Sequence, residues 1–168
     1  MKLASFEAIV RVLNEAEARY LVVGGLAVAA HGYGRVTFDV DLVLQLQPEN
    51  VRNAFQALAS LGYKPFVPVK MNDFADPDIR KNWIEEKNMI VFQLYSDQHA
   101  ATRIDIFVAE PFDFDDEYNS ALVEEFLPGH HVRFVRVETL IRMKELAGRE
   151  KDREDIRQLK ILMENPDD

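Results

Sequence analysis

Val22-Val23-Gly24-Gly25, followed after a helix-length gap by Thr37-Phe38-Asp39-Val40-Asp41-Leu42-Val43, is the stretch that decides the fold. Apolar residues run straight into a glycine pair, so a short buried strand ends at a bend. In the second segment Val36, Phe38, Val40, Leu42, Leu44 and Leu46 alternate with Arg35, Thr37, Asp39, Asp41, Val43 and Gln45. That period of two predicts a strand over Val36 to Leu46 with one buried and one polar face. Asp39 and Asp41 have the same parity and point the same way. Strands disfavour aspartate, and two carboxylates on one face repel unless a positive group sits between them. A divalent cation with hard oxygen ligands is the simplest neutraliser, and Mg2+ is the usual one beside phosphates. A glycine bend leading into a helix offers backbone N–H groups suited to phosphate. Together these parts suit a nucleoside triphosphate.

Outward from this stretch the pattern is mixed. Leu3, Phe6, Ile9, Val10, Leu13 and Ala16 recur at helical spacing and predict an amphipathic helix over residues 4–18. Tyr20 to Val23 reads as a buried strand, Leu26 to His31 as a small-residue helix, and Gly32-Tyr33-Gly34 as its end. Pro48 opens a helix running from about Glu49 to Leu61, with Val51, Phe55, Leu58 and Leu61 facing inward. Residues 66–78 read as a loop. Asp78 to Lys87 reads as a short helix, and Met89–Tyr95 and Thr102–Val108 as a hairpin of strands. Phe112 to Asn119 is acidic and turn-like. Leu122–Leu127 and Val132–Val137 read as a last strand pair around Pro128-Gly129, followed by helices over Glu138–Ala147 and Lys151–Met163. The expected architecture is α+β: a mixed central sheet flanked by helices, with a C-terminal helical pair, in one domain over residues 1–168.

Composition agrees with an ordinary packed domain, at 48% hydrophobic and 29% charged. There are no cysteines, which removes disulfides and thiolate metal sites and fits a reducing cytoplasm. Glu7, Arg11, Glu15 and Glu17 interrupt the first apolar positions, unlike a signal peptide. The apolar run Leu21 to Ala30 is too short to span a bilayer, so no membrane partner is expected. A net charge of -9 argues against general nucleic-acid binding. The charge is unevenly spread: residues 130–160 hold nine of the 20 basic side chains, and residues 1–129 hold 20 of the 29 acidic ones. That basic C-terminal run, facing an acidic metal site, suits a triphosphate or a nucleic-acid end. The competing reading is a solvated helix whose lysines and arginines pair with Glu138, Glu145, Glu150, Asp152, Glu154 and Asp155.

A third acid comes from Arg103-Ile104-Asp105-Ile106-Phe107, where apolar neighbours occupy the opposite parity from Asp105. A strand placed beside Asp39 and Asp41 would bring three carboxylates together for two-metal phosphoryl transfer. The competing reading is that Asp105 only pairs with Arg103.

Gly24-Gly25, a gap of thirteen residues, Asp39-x-Asp41 and the later strand Asp105 resemble the nucleotidyltransferase superfamily, of polymerase-β-like fold. The run Lys144-Glu145-Leu146-Ala147-Gly148-Arg149-Glu150-Lys151-Asp152-Arg153-Glu154-Asp155-Ile156 is similar to that of AbiEii-type toxins and related small bacterial nucleotidyltransferases. The resemblance covers roughly residues 20–45, 102–108 and 138–162. It implies an enzyme moving a nucleoside monophosphate from an NTP to an acceptor hydroxyl on a tRNA end, a protein or a small molecule. It implies that Asp39, Asp41 and Asp105 bind Mg2+, that Gly24 and Gly25 approach the phosphates, and that Lys144 reaches the triphosphate or substrate. Arg35 and Thr37 share the parity of Asp39 and line the same cleft, Arg35 as a phosphate clamp. Many members carry Ser at the second glycine, where this chain has Gly25. The alternative is a non-catalytic nucleotide-binding module, one half of a toxin–antitoxin pair with an antitoxin partner.

Other motifs fail on their own chemistry. Gly24, Gly25, Gly32 and Gly34 do not make the dinucleotide fingerprint. No Gly-Asp dipeptide exists to complete a haloacid-dehalogenase-type phosphatase, and Asp-x-Asp glycosyltransferases are usually much longer. His130-His131 are adjacent and cannot share one face. His31 reads as a helix cap or a cleft residue, His99 as a hairpin-tip residue, and Trp83 as packing.

Overall fold

Alternating apolar and polar residues set the strands, and their pairing register decides which side chains meet across the sheet. The computed structural model describes residues 1–166. The chain runs α1 (Leu3–Glu15), β1 (Tyr20–Val23), α2 (Gly24–Ala30), β2 (Asp39–Leu44), α3 (Pro48–Ala59) and β3 (Lys64–Pro65). It continues through a 3-10 turn (Met71–Ala75), α4 (Pro77–Lys87), β4 (Val91–Tyr95), β5 (Arg103–Phe107) and α5 (Phe114–Asn119). The last elements are β6 (Leu122–Leu127), β7 (His130–Phe134), α6 (Val137–Ala147) and α7 (Glu150–Glu164).

The seven strands form one mixed sheet in the order β3-β4-β5-β2-β1-β7-β6. β2 pairs with β5 and β1 with β7 in parallel, and the other neighbours are antiparallel. Val40, Leu42, Phe92, Leu94, Ile104 and Ile106 are wholly buried, while the alternate residues of β4 and β5 stay partly exposed. One sheet face is therefore core and the other open across β2, β5, β4 and β3. On the core side Phe55 meets Phe74 edge-on at 4.9 Å, and Trp83 stacks on Phe92 at 5.3 Å. Rings in such pairs contribute roughly 2–3 kcal/mol each through burial. Trp83 is thus a packing residue. α2 lies against β1, β2 and α6, and α6 packs on α7, so the C-terminal helices gather beside the Gly24 bend.

Four segments differ from the sequence expectation, the first being the last strand: expected over Val132–Val137, it is β7 over His130–Phe134, and Val137 already opens α6. β2 begins at Asp39, and Val36 and Phe38 are 73% and 72% exposed. The alternation before Asp39 follows the strand pattern with no neighbouring strand to pair with. Within 66–78 the chain forms the 3-10 turn and buries Phe74, so an aromatic anchor fastens what reads as a loop. Residues 114–119 form α5, started by Asp113, whose side chain accepts from the Asp116 N–H at 3.0 Å. No helix among the described residues is long and apolar enough to cross a membrane.

Candidate functional site

Register brings the acids together. In the β2–β5 pairing Asp41 lies opposite Asp105, and Asp39 lies opposite Arg103. In β4–β5 Gln93 lies opposite Asp105, and in β1–β2 Asp41 lies opposite Val23, the residue before the glycine pair. Asp39, Asp41 and Asp105 therefore share the open face. Gln93 Nε2 donates to Asp105 Oδ1 at 3.1 Å and fixes that carboxylate's direction.

The electrostatics record the crowding. Burial, then Asp105 and Asp39, push the Asp41 carboxyl up to about 7, against the pull of Lys144 and Arg149. Burial and Asp39 also raise the Asp105 carboxyl, opposed by the Gln93 hydrogen bond and by Arg103. Carboxylates raised by each other's charge are deficient in positive charge.

The bend is tight where it meets them. Gly24 has φ +67°, and a Cβ there would sit 2.0 Å from Asp41 Oδ2. Only glycine fits such a position. A Cβ at Gly25 would come within 2.7 Å of Thr37 Oγ1 and 3.2 Å of Arg35 Nη2. The Thr37 hydroxyl thus occupies the space a serine side chain would need at position 25. Thr37 Oγ1 donates to the Asp39 carbonyl at 3.3 Å, which ties the segment before β2 to the first acid.

Behind the bend lies a second charge cluster, built by α6, α7 and Arg35. Asp155 contacts Arg35 Nε at 2.8 Å and accepts from its Nη2 at 2.9 Å; it also receives Lys144 Nζ at 2.8 Å. Asp152 takes Lys144 Nζ at 3.3 Å and Arg149 Nε at 2.7 Å. Burial opposes the charge on Asp152, but the Arg149 hydrogen bonds and Lys144 outweigh it and hold its carboxyl below the usual range. Gly148, left-handed at φ +64°, ends α6 and lets α7 fold back to close this network.

These positions redistribute the roles suggested by sequence. Lys144 is 5% exposed and held by two acids. Arg35 is turned onto Asp155. Arg149, unassigned in the sequence reading, has a side chain 60% exposed and close enough to Asp41 to lower its carboxyl. Gln93 was also missed; its opposition to Asp105 follows from the hairpin register and could have been read from it. His31 caps α2 and its Nε2 bonds the Val135 carbonyl at 2.7 Å, away from a ligand role. His99 bonds Ser5 Oγ at 2.8 Å and stacks on Tyr63. Two surface concavities of about 410 and 420 Å³ are lined by other residues, the first by Arg80 and Glu110, the second by Asn53 and Gln56.

Among the described residues, no group of three or more His, Asp or Glu is close enough together to hold a metal ion as it stands. The donor chemistry nevertheless fits a hard divalent cation: three carboxylates on one open face, with mutual repulsion a cation would relieve.

No protein-family profile matches the chain, and no curated protein sequence matches it. Among solved structures it is similar to the lincomycin-bound lincosamide antibiotic adenylyltransferase LnuA, with a TM-score of 0.60 and 14% identity over 95% of this chain and 97% of that one. It is similar also to ANT(2")-Ia in complex with adenylyl-2"-tobramycin, with a TM-score of 0.59 and 14% identity over 95% of this chain and 88% of that one. The mixed α+β architecture is the nucleotidyltransferase fold.

Proposed function

We propose that this chain is a Mg2+-dependent nucleotidyltransferase that moves a nucleoside monophosphate from an NTP to the hydroxyl of a small molecule. The observation that carries the reading is the pairing of Asp41 with Asp105 beside the Gly24 bend, in a face short of positive charge. The two similar structures, bound to lincomycin and to adenylyl-2"-tobramycin, favour a small-molecule acceptor over a tRNA or protein. The chain's net charge of -9 agrees, since a long polyanionic acceptor would be repelled.

Asp39, Asp41 and Asp105 would hold the cations, which when bound neutralise the triphosphate and make the acceptor hydroxyl more acidic. The chain's own residues do the rest. The Gly24–Gly25 bend lets phosphate approach the backbone without a side chain in the way. Arg149 meets the phosphates from its exposed end, while Lys144 contributes its charge from inside the network and Asp155 keeps Arg35 in place. Asp105, aimed by Gln93, takes the hydroxyl proton as the acceptor oxygen bonds to the α-phosphorus. The bond from that phosphorus to the β-phosphate bridging oxygen breaks, and pyrophosphate leaves with the electron pair.

The test is incubation with α-labelled NTPs, Mg2+ and pools of small hydroxylated molecules, comparing the wild type with Asp41→Asn. Label transfer with pyrophosphate release, absent in the variant, is the expected result. Nucleotide binding without turnover across broad acceptor pools would favour a non-catalytic nucleotide-binding module.

A further inference from the structure

We propose that the open face of β5, β4 and β3 is the acceptor platform. It selects a small hydroxylated molecule with a flat apolar ring and a carbonyl or carboxylate between ring and hydroxyl. This rests on the nucleotidyltransferase reading above. β3 pairs with β4 so that Lys64 lies opposite Tyr95 and Pro65 opposite Leu94, and the Phe66 N–H continues the ladder by donating to the Gln93 carbonyl at 2.9 Å. Two rows of side chains therefore cross the open face. One runs Asp41, Asp105, Gln93, Phe66; the other runs Asp39, Arg103, Tyr95, Lys64. Acids stand at one end and aromatics at the other, with a guanidinium and an amide between.

At about 4.8 Å per strand, Phe66 is roughly 10 Å from Asp105. A drug-sized molecule whose hydroxyl sits at Asp105 spans that distance. Phe66 is 56% exposed, yet its ring is held. Tyr95 packs against it at 6.0 Å and 85°, and the Arg103 guanidinium lies 5.4 Å from its centroid. A ring ordered but uncovered presents an apolar face at small entropic cost to a binding partner. Arg103 is exposed at the centre of the second row and can donate to a carbonyl or carboxylate. Lys64 adds a second cation, offset by Asp97 at 3.5 Å on the outer margin. Between the acids and Phe66 the platform thus offers one cationic donor, Arg103, to a carbonyl or carboxylate of the acceptor.

The experiment uses the anionic aromatic dye 1-anilino-8-naphthalenesulfonate as probe, titrated by fluorescence against the full chain, with circular dichroism verifying that each variant is folded. Phe66→Ala and Arg103→Ala are expected to weaken binding about tenfold each, and Arg103→Lys to retain most of it. Unchanged dye affinity in folded Phe66→Ala and Arg103→Ala would overturn the platform. Dye binding bypasses the metal and the nucleotide. A platform that fails while Mg-NTP turnover persists is wrong by itself, and a platform that binds dye in a chain without turnover leaves only the catalytic reading in error.

Discussion

The acids of β2 and β5 and the acids of α7 are all partly or wholly withdrawn from water, but they are treated differently. Asp152 and Asp155 are 0% and 1% exposed and carry Lys144, Arg149 and Arg35. Among the described residues, no basic side chain forms an ion pair with Asp39, Asp41 or Asp105. A buried pair is a scaffold: breaking it strands a charge, and leaving it intact does little else. An unpaired set of like charges is held at a cost in stability, and a ligand is the natural compensation. The contrast separates the residues that should matter for turnover from those that should matter for folding.

The sharpest way to break the contrast is Asp41→Asn. Turnover should fall about 1,000-fold, as expected when charge stabilisation at a reacting phosphate is lost. Stability should move the other way. The folded Asp41 carboxyl titrates at about 7, above its ordinary value of 3.8, so the unfolded chain releases that proton first. Without metal, the folded state therefore loses stability as pH rises from about 4 to about 7. At pH 8 the amide should leave the melting temperature unchanged or raise it, by up to about 4 kcal/mol in stability. Thermal melts with and without Mg2+ check both signs, and Mg2+ should stabilise only the wild type.

Asp155→Ala should do the reverse. It takes from Lys144 one of its two acids and leaves Arg35 without its carboxylate, and should cost about 3 kcal/mol in chemical denaturation. Arg149→Ala sharpens the boundary between the two clusters. Its exposed end should make the NTP KM rise about tenfold, with kcat changed less and a stability loss of about 1 kcal/mol, because Lys144 remains on Asp152. Steady-state kinetics with varied NTP read this split.

The smallest effect concerns a third buried acid, Glu117, held by Arg136 and Thr139 between α5 and α6. Burial opposes its charge, but those hydrogen bonds win and lower its carboxyl below the ordinary value. A lowered carboxyl stabilises above its unfolded pKa and loses that contribution as pH falls through the folded one. Between pH 5 and 3 the wild type should therefore lose more stability than Glu117→Gln, by about 1 kcal/mol, in acid denaturation.

Much of this was legible in the chain. The period-two pattern gave the acids' parity, because burial on one face imposes it directly, and apolar runs located β4 and β5; β6 carries no alternation, and the strand read at Val132–Val137 is β7 at His130–Phe134. Glycine punctuation located the bend at Gly24 and the end of α6 at Gly148. What was illegible depends on partners distant in sequence. Val36 and Phe38 alternate like strand residues, but no strand lies beside them. Phe74 gives no periodic signal and is buried only because Phe55 and Phe92 converge on it. Lys144 reads as a ligand-facing lysine until α7 turns back and delivers two carboxylates to it. Charge pairing between helices is a tertiary fact, and the spacing of acids and bases along the run fits both a solvated face and a closed network.

The most direct measurement is a crystal soak with Mn2+ and a non-hydrolysable ATP analogue, read by anomalous scattering. The account predicts manganese peaks among the carboxylates of Asp39, Asp41 and Asp105, with the triphosphate against the Gly24–Gly25 bend and Arg149 at its far end. Manganese and nucleotide bound elsewhere, with those three carboxylates free of metal at saturating concentration, would contradict it.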